Sequence, residues 1–248
     1  MTTPALVLFD IDGTLMKPGD REHARALLDA FRVTFDLEPD LEGVQLAGML
    51  DAQITRQLLA KHGIDHNGVL EKIQQVMHMM GELYSAAIGQ QSLVDRRLPG
   101  AVESVAALES VGFHIGTLTG NARRVAEVKL GAAELGHLTR IGGFGDQVVE
   151  RGMLVEKAIA GLRLVTGATV RPEQVVLIGD TPQDIFAAHA SRAQIVTVAT
   201  GRYDEAQLRA AGADHVLTDL TDPDRLLSAV YDVAGQQLDR SRSERSGT

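Results

Sequence analysis

The sequence predicts an α/β protein: a parallel sheet core with helices on both faces, interrupted by an all-helical insert. Three observations carry this prediction. Short apolar runs alternate with helix-like segments over most of the chain. Residues 16–94 break that alternation and contain no strand-like run. Three of the apolar runs end in acids or in a small hydroxyl residue, at what would be the carboxyl edge of a parallel sheet.

The elements follow in order. "PALVLF" (residues 4–9) is short, apolar and bounded by loop residues, as a buried strand requires. The insert then reads as amphipathic helices over 21–35, 53–62 and 68–88, separated by turns containing Gly or Pro. A helix over 101–111 follows a Pro-Gly start. "FHIGTLT" (113–119) reads as a strand, and Asn121 is placed to cap a helix over 122–130. Helices over 153–165, 182–190 and 204–211 alternate with the strands "QVVLIGD" (174–180), "QIVTVAT" (194–200) and "DHVLTD" (214–219). Strands so spaced imply right-handed βαβ units, hence a Rossmann-like sheet. The expected organisation is a catalytic core from 1–15 and 95–234, a helical cap from 16–94, and a disordered polar tail from 235–248.

Composition limits the function. The chain has 248 residues, 44% of them apolar, so a large core is available. There is no Cys, which removes disulfides, thiolate catalysis and Cys-ligated metals. A net charge of −9 argues against binding nucleic acid. No run approaches the roughly 20 apolar residues of a membrane helix, and the N-terminal run lacks the basic flank of a signal peptide. The expected setting is cytoplasmic, with no membrane partner. The sequence does not specify an oligomeric state.

The chemistry gathers at the strand ends. The first strand delivers Asp10 and Asp12, the second Thr119, Gly120 and Asn121, and a third Asp180, with Asp184 four residues on in "GDTPQD". Acids brought together in this way repel one another. A hard divalent cation such as Mg²⁺, which prefers oxygen ligands, would relieve the conflict. Thr119-Gly120-Asn121 offers a hydroxyl, an amide and helix N-terminal N–H groups to an anion. Metal, anion site and strand-end carboxylate together suggest phosphoryl chemistry. Asp10 would attack phosphorus and form an aspartyl-phosphate. Asp12 would protonate the leaving oxygen and later activate water. Gly13 would let the chain bend after that acid.

These residues resemble the haloacid dehalogenase superfamily, in particular its phosphoglycolate-phosphatase-like members with a helical cap. Asp10-Ile11-Asp12-Gly13-Thr14 is similar to the first family motif, Thr119 in "TLTGN" to the second, and "GDTPQD" to the fourth. The resemblance implies that Asp10 is both nucleophile and Mg²⁺ ligand. It implies that Asp12 ligates through its backbone carbonyl, that Asp180 is a ligand, and that Asp184 orients the metal shell or pairs with the third-motif base. Relatives often carry Lys-Pro at the third motif. None occurs here, and Arg151 or, second, Lys157 stands in that region to neutralise phosphate.

The expected protein is therefore a Mg²⁺-dependent phosphoric monoester hydrolase of a small phosphorylated metabolite, phosphoglycolate-like or sugar-phosphate-like. A sugar phosphomutase or phosphonatase of the same superfamily is the alternative, and a non-catalytic phosphate-binding module is a third reading. Blander readings stand beside these. Thr119-Gly120-Asn121 alone is a helix cap, Lys157 a solvated helix face, and scattered residues such as His23 lie on helix faces without metal-ligand spacing. Arg202, in "ATGRYD", follows a strand on the same edge.

Overall fold

The computed structural model describes residues 6–146 and 150–245. Its core is a six-stranded, wholly parallel sheet of order β3-β2-β1-β4-β5-β6. The strands are β1 (Leu6–Phe9), β2 (His114–Leu118), β3 (Gly142–Gly143), β4 (Val175–Gly179), β5 (Gln194–Val198) and β6 (His215–Leu217). β1 is central, with Leu6 in register with His114 of β2 and with Val175 of β4. This explains why "LVLF" is apolar without alternation: both of its faces are covered.

The period of two is still visible in what each side chain touches. Val7 and Phe9 join a cluster with α4 (Ala101–Ser110), α5 (Arg123–Ala132) and α9 (Pro223–Arg245). Leu6 and Leu8 join the opposite cluster, with α6 (Met153–Thr166), α7 (Pro182–Ser191) and α8 (Glu205–Ala210). Helices therefore cover both faces of the sheet.

Between β1 and α4 lie α1 (Arg21–Phe35), α2 (Asp51–Lys61) and α3 (Leu70–Ile88), with no strand of the sheet. Asp20 starts α1 by accepting the N–H groups of Glu22 and His23 at 3.1 and 3.2 Å. Phe31, Leu58 and Tyr84 are fully buried and belong to the same apolar cluster as Phe9, so the insert shares a core with one face of the sheet. Its entry and exit strands of chain run side by side. The Lys17 N–H donates to Arg96 O at 2.8 Å and the Leu98 N–H to Leu15 O at 2.9 Å.

Three features depart from the sequence expectation. β3 is a two-residue strand made of Gly142 and Gly143, paired with Thr117 and Leu118. α9 is an additional helix, and its backbone runs to Arg245, through most of the segment expected as a tail. α5 begins at Arg123 with Ala122 as its N-cap. Asn121 does not cap it; Asp51 of the insert accepts the Ala122 N–H at 2.7 Å instead. No helix among the described residues is long and apolar enough to cross a membrane.

Gly100 marks where the exit segment meets the core. It has φ +78°, and a Cβ there would fall 1.9 Å from the Leu220 carbonyl oxygen. Gly167 has φ +75° with open space around it. Gly167→Ala should cost only the left-handed conformational term, about 1–2 kcal/mol. Gly100→Ala should cost at least twice that. At about 2–4 °C per kcal/mol for a chain of this size, thermal unfolding followed by circular dichroism separates the two. Equal losses would mean that the Gly100 contact is not tight.

Candidate active site

A cavity of about 370 Å³ opens between the carboxyl edge of the sheet and the insert. Its lining includes Asp10, Asp12, Thr119, Gly120, Asn121, Arg151 and Asp180. Residues of three strand ends thus converge on one space.

Asp10 follows β1 directly and is buried, with its N–H held by Ile178 O at 2.8 Å. Gly13 turns the chain with φ +95°, where a Cβ would fall 2.3 Å from Asp180 Oδ2. Only glycine fits both the angle and the contact. The Thr14 hydroxyl then donates to Asp180 Oδ1 at 3.2 Å. Asp10, Asp180 and Asp184 each offer an oxygen within 4.8 Å of the others, and all three are buried. Asp184, in the first turn of α7, has both oxygens engaged. Oδ2 accepts the Thr181 N–H and hydroxyl at 3.0 and 2.7 Å, and Oδ1 accepts Arg151 Nη2 at 2.6 Å.

Arg151 is buried against this group. Nη2 lies 3.2 Å from Asp10 Oδ1, and Nη1 donates to Gly48 O of the insert at 3.1 Å. Its Nε is buried without a hydrogen-bond partner. Lys157 lies on the exposed face of α6 and does not line the cavity. Of the two cations the sequence offers for one position, the structure brings Arg151 to Asp10. Asp184 stands as the partner of that arginine.

One guanidinium does not balance three buried carboxylates. Burial and the neighbouring Asp184 and Asp12 push Asp10 up to about 7, against the pull of Arg151. Burial, together with Asp10 and Asp184, pushes Asp180 up to about 8. The same opposition acts on Arg151. Burial disfavours its charge, but Asp184 and Asp10 outweigh that and raise its pKa.

Asp12 has a different environment. Its side chain turns away from the other acids toward a buried ammonium. Lys129 Nζ, on α5, lies 2.9 Å from each Asp12 oxygen and 2.9 Å from Asn121 Oδ1. Asn121 Nδ2 donates to Asp12 Oδ2 at 2.8 Å and to Thr119 Oγ1 at 2.9 Å. Burial raises the Asp12 carboxyl, but Lys129, His23 and these hydrogen bonds outweigh it and hold the group below the usual carboxylate range. Two acids two residues apart are thus driven in opposite directions by their partners.

The cavity also gathers residues that sequence reasoning missed. Lys129 carries no motif; its place on α5, about two turns along the helix that follows Asn121, was the one available signal. Asp20 accepts the Tyr84 hydroxyl at 2.7 Å and lies 3.6 Å from Lys129. His23 Nε2 meets Asp51 Oδ2 at 3.1 Å, so it is a lining residue and not a free surface histidine. Arg202, by contrast, was placed on this edge by the sequence and lines the same cavity from the loop after β5.

The donor set fits a hard divalent cation. All ligand atoms are oxygens, they are buried together, and Arg151 alone leaves the cluster short of positive charge. The group is able to hold a metal ion through Asp10 and Asp180, whereas Asp184 is committed to Arg151 and Thr181.

A parallel sheet with a buried acidic group at its carboxyl edge, under a helical insert, defines a class of α/β hydrolases. The profile of the haloacid dehalogenase-like hydrolases matches residues 4–192, and the chain belongs to that family. It is 25% identical over 235 residues to a phosphoglycolate phosphatase of Nitrosococcus oceani, covering 91% of this chain and 97% of that one. It is 26% identical over 200 residues to phosphoglycolate phosphatase 1 of Pseudomonas aeruginosa, covering 80% and 70%. Among solved structures, a β-phosphoglucomutase of Clostridium difficile superposes with a TM-score of 0.67 at 17% identity, covering 96% of this chain and 99% of that one. CbbY of Rhodobacter sphaeroides, solved with xylulose-(1,5)bisphosphate, gives 0.64 at 21% identity, covering 89% and 96%. At these identities the structures establish the fold alone.

The charge imbalance gives a prediction of definite sign. Asp10 and Asp180 have folded pKa values above the ordinary 3.8. The folded chain therefore holds more protons than the unfolded one between pH 3.8 and about 8, and metal-free stability falls as pH rises through that window. In EDTA at pH 8, Asp180→Asn should unfold about 2–4 °C above wild type, the shift expected of about 1 kcal/mol. At pH 5 the gap should shrink. Differential scanning fluorimetry checks it; a lower Tm for the variant at pH 8 would contradict the imbalance.

Proposed function

We propose that this hydrolase is a Mg²⁺-dependent phosphatase of a small phosphomonoester, acting through an aspartyl-phosphate on Asp10. One observation carries the reading: a buried carboxylate at a strand end, faced by a buried arginine and a second acid, at the floor of a cavity between the sheet edge and the insert. The phosphatase names of the curated relatives support it.

Asp10 and Asp180, with the Asp12 backbone carbonyl, would hold Mg²⁺. When bound, the ion supplies charge neutralisation to the acids and to the phosphoryl oxygens. The residues of the chain perform the rest. Asp10 forms a bond to phosphorus while the ester P–O bond breaks. Asp12, a carboxylate at rest beside Lys129, takes up a proton when the bound phosphate offsets the charge of that lysine, and gives it to the departing alkoxide oxygen. Water then attacks the phosphoryl group and passes a proton to the Asp12 carboxylate, which frees phosphate and restores Asp10. Arg151 neutralises phosphoryl oxygen charge, and its unpartnered Nε is a donor ready for one of them. Thr119, Gly120 and Asn121 supply the hydroxyl and N–H groups for the others. Residues 16–94 act as the cap that closes this space and selects the leaving group.

The phosphonatase alternative calls for an insert lysine at the substrate. Lys17 donates to Asp95 O, Lys61 pairs with Asp40, and Lys72 lies over the Phe35 ring. None lines the cavity, which favours the phosphatase. A phosphomutase would share the residues and differ in retaining the phosphoryl group.

With Mg²⁺ and p-nitrophenyl phosphate, Asp10→Asn should abolish phosphate release. Arg151→Lys keeps the charge but loses the planar guanidinium that meets Asp10 and Asp184 through Nη2 and Gly48 O through Nη1; it should lower kcat/KM by about 10²–10³. Steady-state phosphate release measures both. Full activity of either variant contradicts the assignment, and turnover without net phosphate release would favour the mutase.

A further inference from the structure

The two ends of the cavity differ in chemistry. The phosphoryl end holds Asp10, Asp180, Thr119 and Arg151. The facing wall comes from the insert and is aliphatic: Ala24, Leu27, Leu28, Leu41, Leu46 and Ile54. Leu46 is 46% exposed, so part of this wall is uncovered.

The charged groups that the insert adds to the lining are Asp20, His23 and Asp51; it adds no Lys or Arg among the described residues. All three are engaged. Asp20 accepts Tyr84 and caps α1, and Asp51 accepts both His23 and the Ala122 N–H. The lining cations, Arg151 and Arg202, come from the core. Arg151 is committed to Asp10 and Asp184. Arg202 follows Gly201, whose backbone abuts Asp180 so closely that a Cβ would fall 1.7 Å from Oδ2. Arg202 thus enters the lining from the core side, next to the Asp180 end of the cavity; it is exposed, and the insert contributes no cation of its own.

We infer that the substrate is a monophosphate ester of an uncharged alcohol with an apolar body of several carbons, seated on the leucine wall of the insert. The inference rests on the phosphatase reading above and narrows it. On the insert wall, a leaving group bearing a carboxylate or second phosphate would meet leucines and two acids and no Lys or Arg, and an unpaired charge is costly to bury. A polyol would find the polar side chains of the wall, Asp20, His23 and Asp51, already bonded. An alkyl chain meets neither obstacle and removes aliphatic surface from water.

The test is kcat/KM for Mg²⁺-dependent phosphate release from straight-chain alkyl phosphates, methyl to hexyl, beside 2-phosphoglycolate and glucose 6-phosphate. Leaving-group basicity is nearly constant along the alkyl series, so the trend reports binding to the wall. We expect about a fourfold gain per methylene until the wall is covered, and hexyl phosphate at least about tenfold above both polar esters. Leu46→Arg, at a half-exposed position that tolerates charge, should lower the hexyl ester and raise phosphoglycolate; circular dichroism reports its folding. A flat alkyl series, or phosphoglycolate or glucose 6-phosphate as the best wild-type substrate, overturns the inference and leaves the phosphatase reading standing. An unchanged preference in folded Leu46→Arg overturns it as well. No release from any ester, p-nitrophenyl phosphate included, overturns the phosphatase reading and this inference with it.

Discussion

Three carboxylates buried around one guanidinium are the constraint on which the rest of this structure depends. Asp10, Asp180 and Asp184 share a space under 5 Å across, and Arg151 supplies the one positive charge directly against them. Such a cluster cannot be fully ionised without another cation. The fold keeps it anyway because parallel strands deliver their ends to one edge, and the groups that would solvate the acids are replaced by fixed donors. Thr14, Thr181 and Arg151 fill that role. The cost is a pair of carboxyls whose pKa values stand near neutrality. The benefit is a nucleophile and a metal-binding set already in place.

The second acid of the pair is handled separately. Asp12 belongs to the same loop as Asp10 but leans on Lys129, a side chain only 1% exposed. Its neighbours Asp20 and Tyr84 come from the insert, whereas Lys129 comes from the core. The surroundings of Asp12 are therefore assembled from both sides of the paired connections at Leu15–Lys17 and Arg96–Leu98. The same is true of the second-strand turn, where Asp51 of the insert caps α5 and the Asp51 N–H meets the Gly120 carbonyl. The insert completes the site as well as covering it.

Much of this was legible in the sequence, for physical reasons that differ by residue. The strand cores were readable because a doubly covered strand must be apolar, as "LVLF" and "VVLIG" are. Asp10 and Asp180 were readable because an acid directly after such a run has no packing explanation, and Asp12 and Asp184 because they follow two and four residues behind them. β3 was not readable: two glycines carry no β propensity, and they pair only because Thr117 and Leu118 present a free edge. Asn121 looked like a helix cap by type, yet a closer acid from another element took the cap. Its amide was left to bridge Thr119, Asp12 and Lys129. Lys129 and the His23–Asp51 pair were invisible because their meaning lies in tertiary proximity, across 117 and 28 residues of chain. The choice between Arg151 and Lys157 also needed the fold, since six positions along the chain separate a buried guanidinium from a solvated ammonium.

The most direct test of the central claim is calorimetric binding of Mg²⁺ to the metal-free protein at pH 7, repeated in buffers of different ionisation enthalpy to count protons. Specific binding with net proton release is expected, because the cation displaces protons held by Asp10 and Asp180, and that release should be lost in Asp180→Asn. Binding without proton release, or no binding to the folded protein, would contradict it.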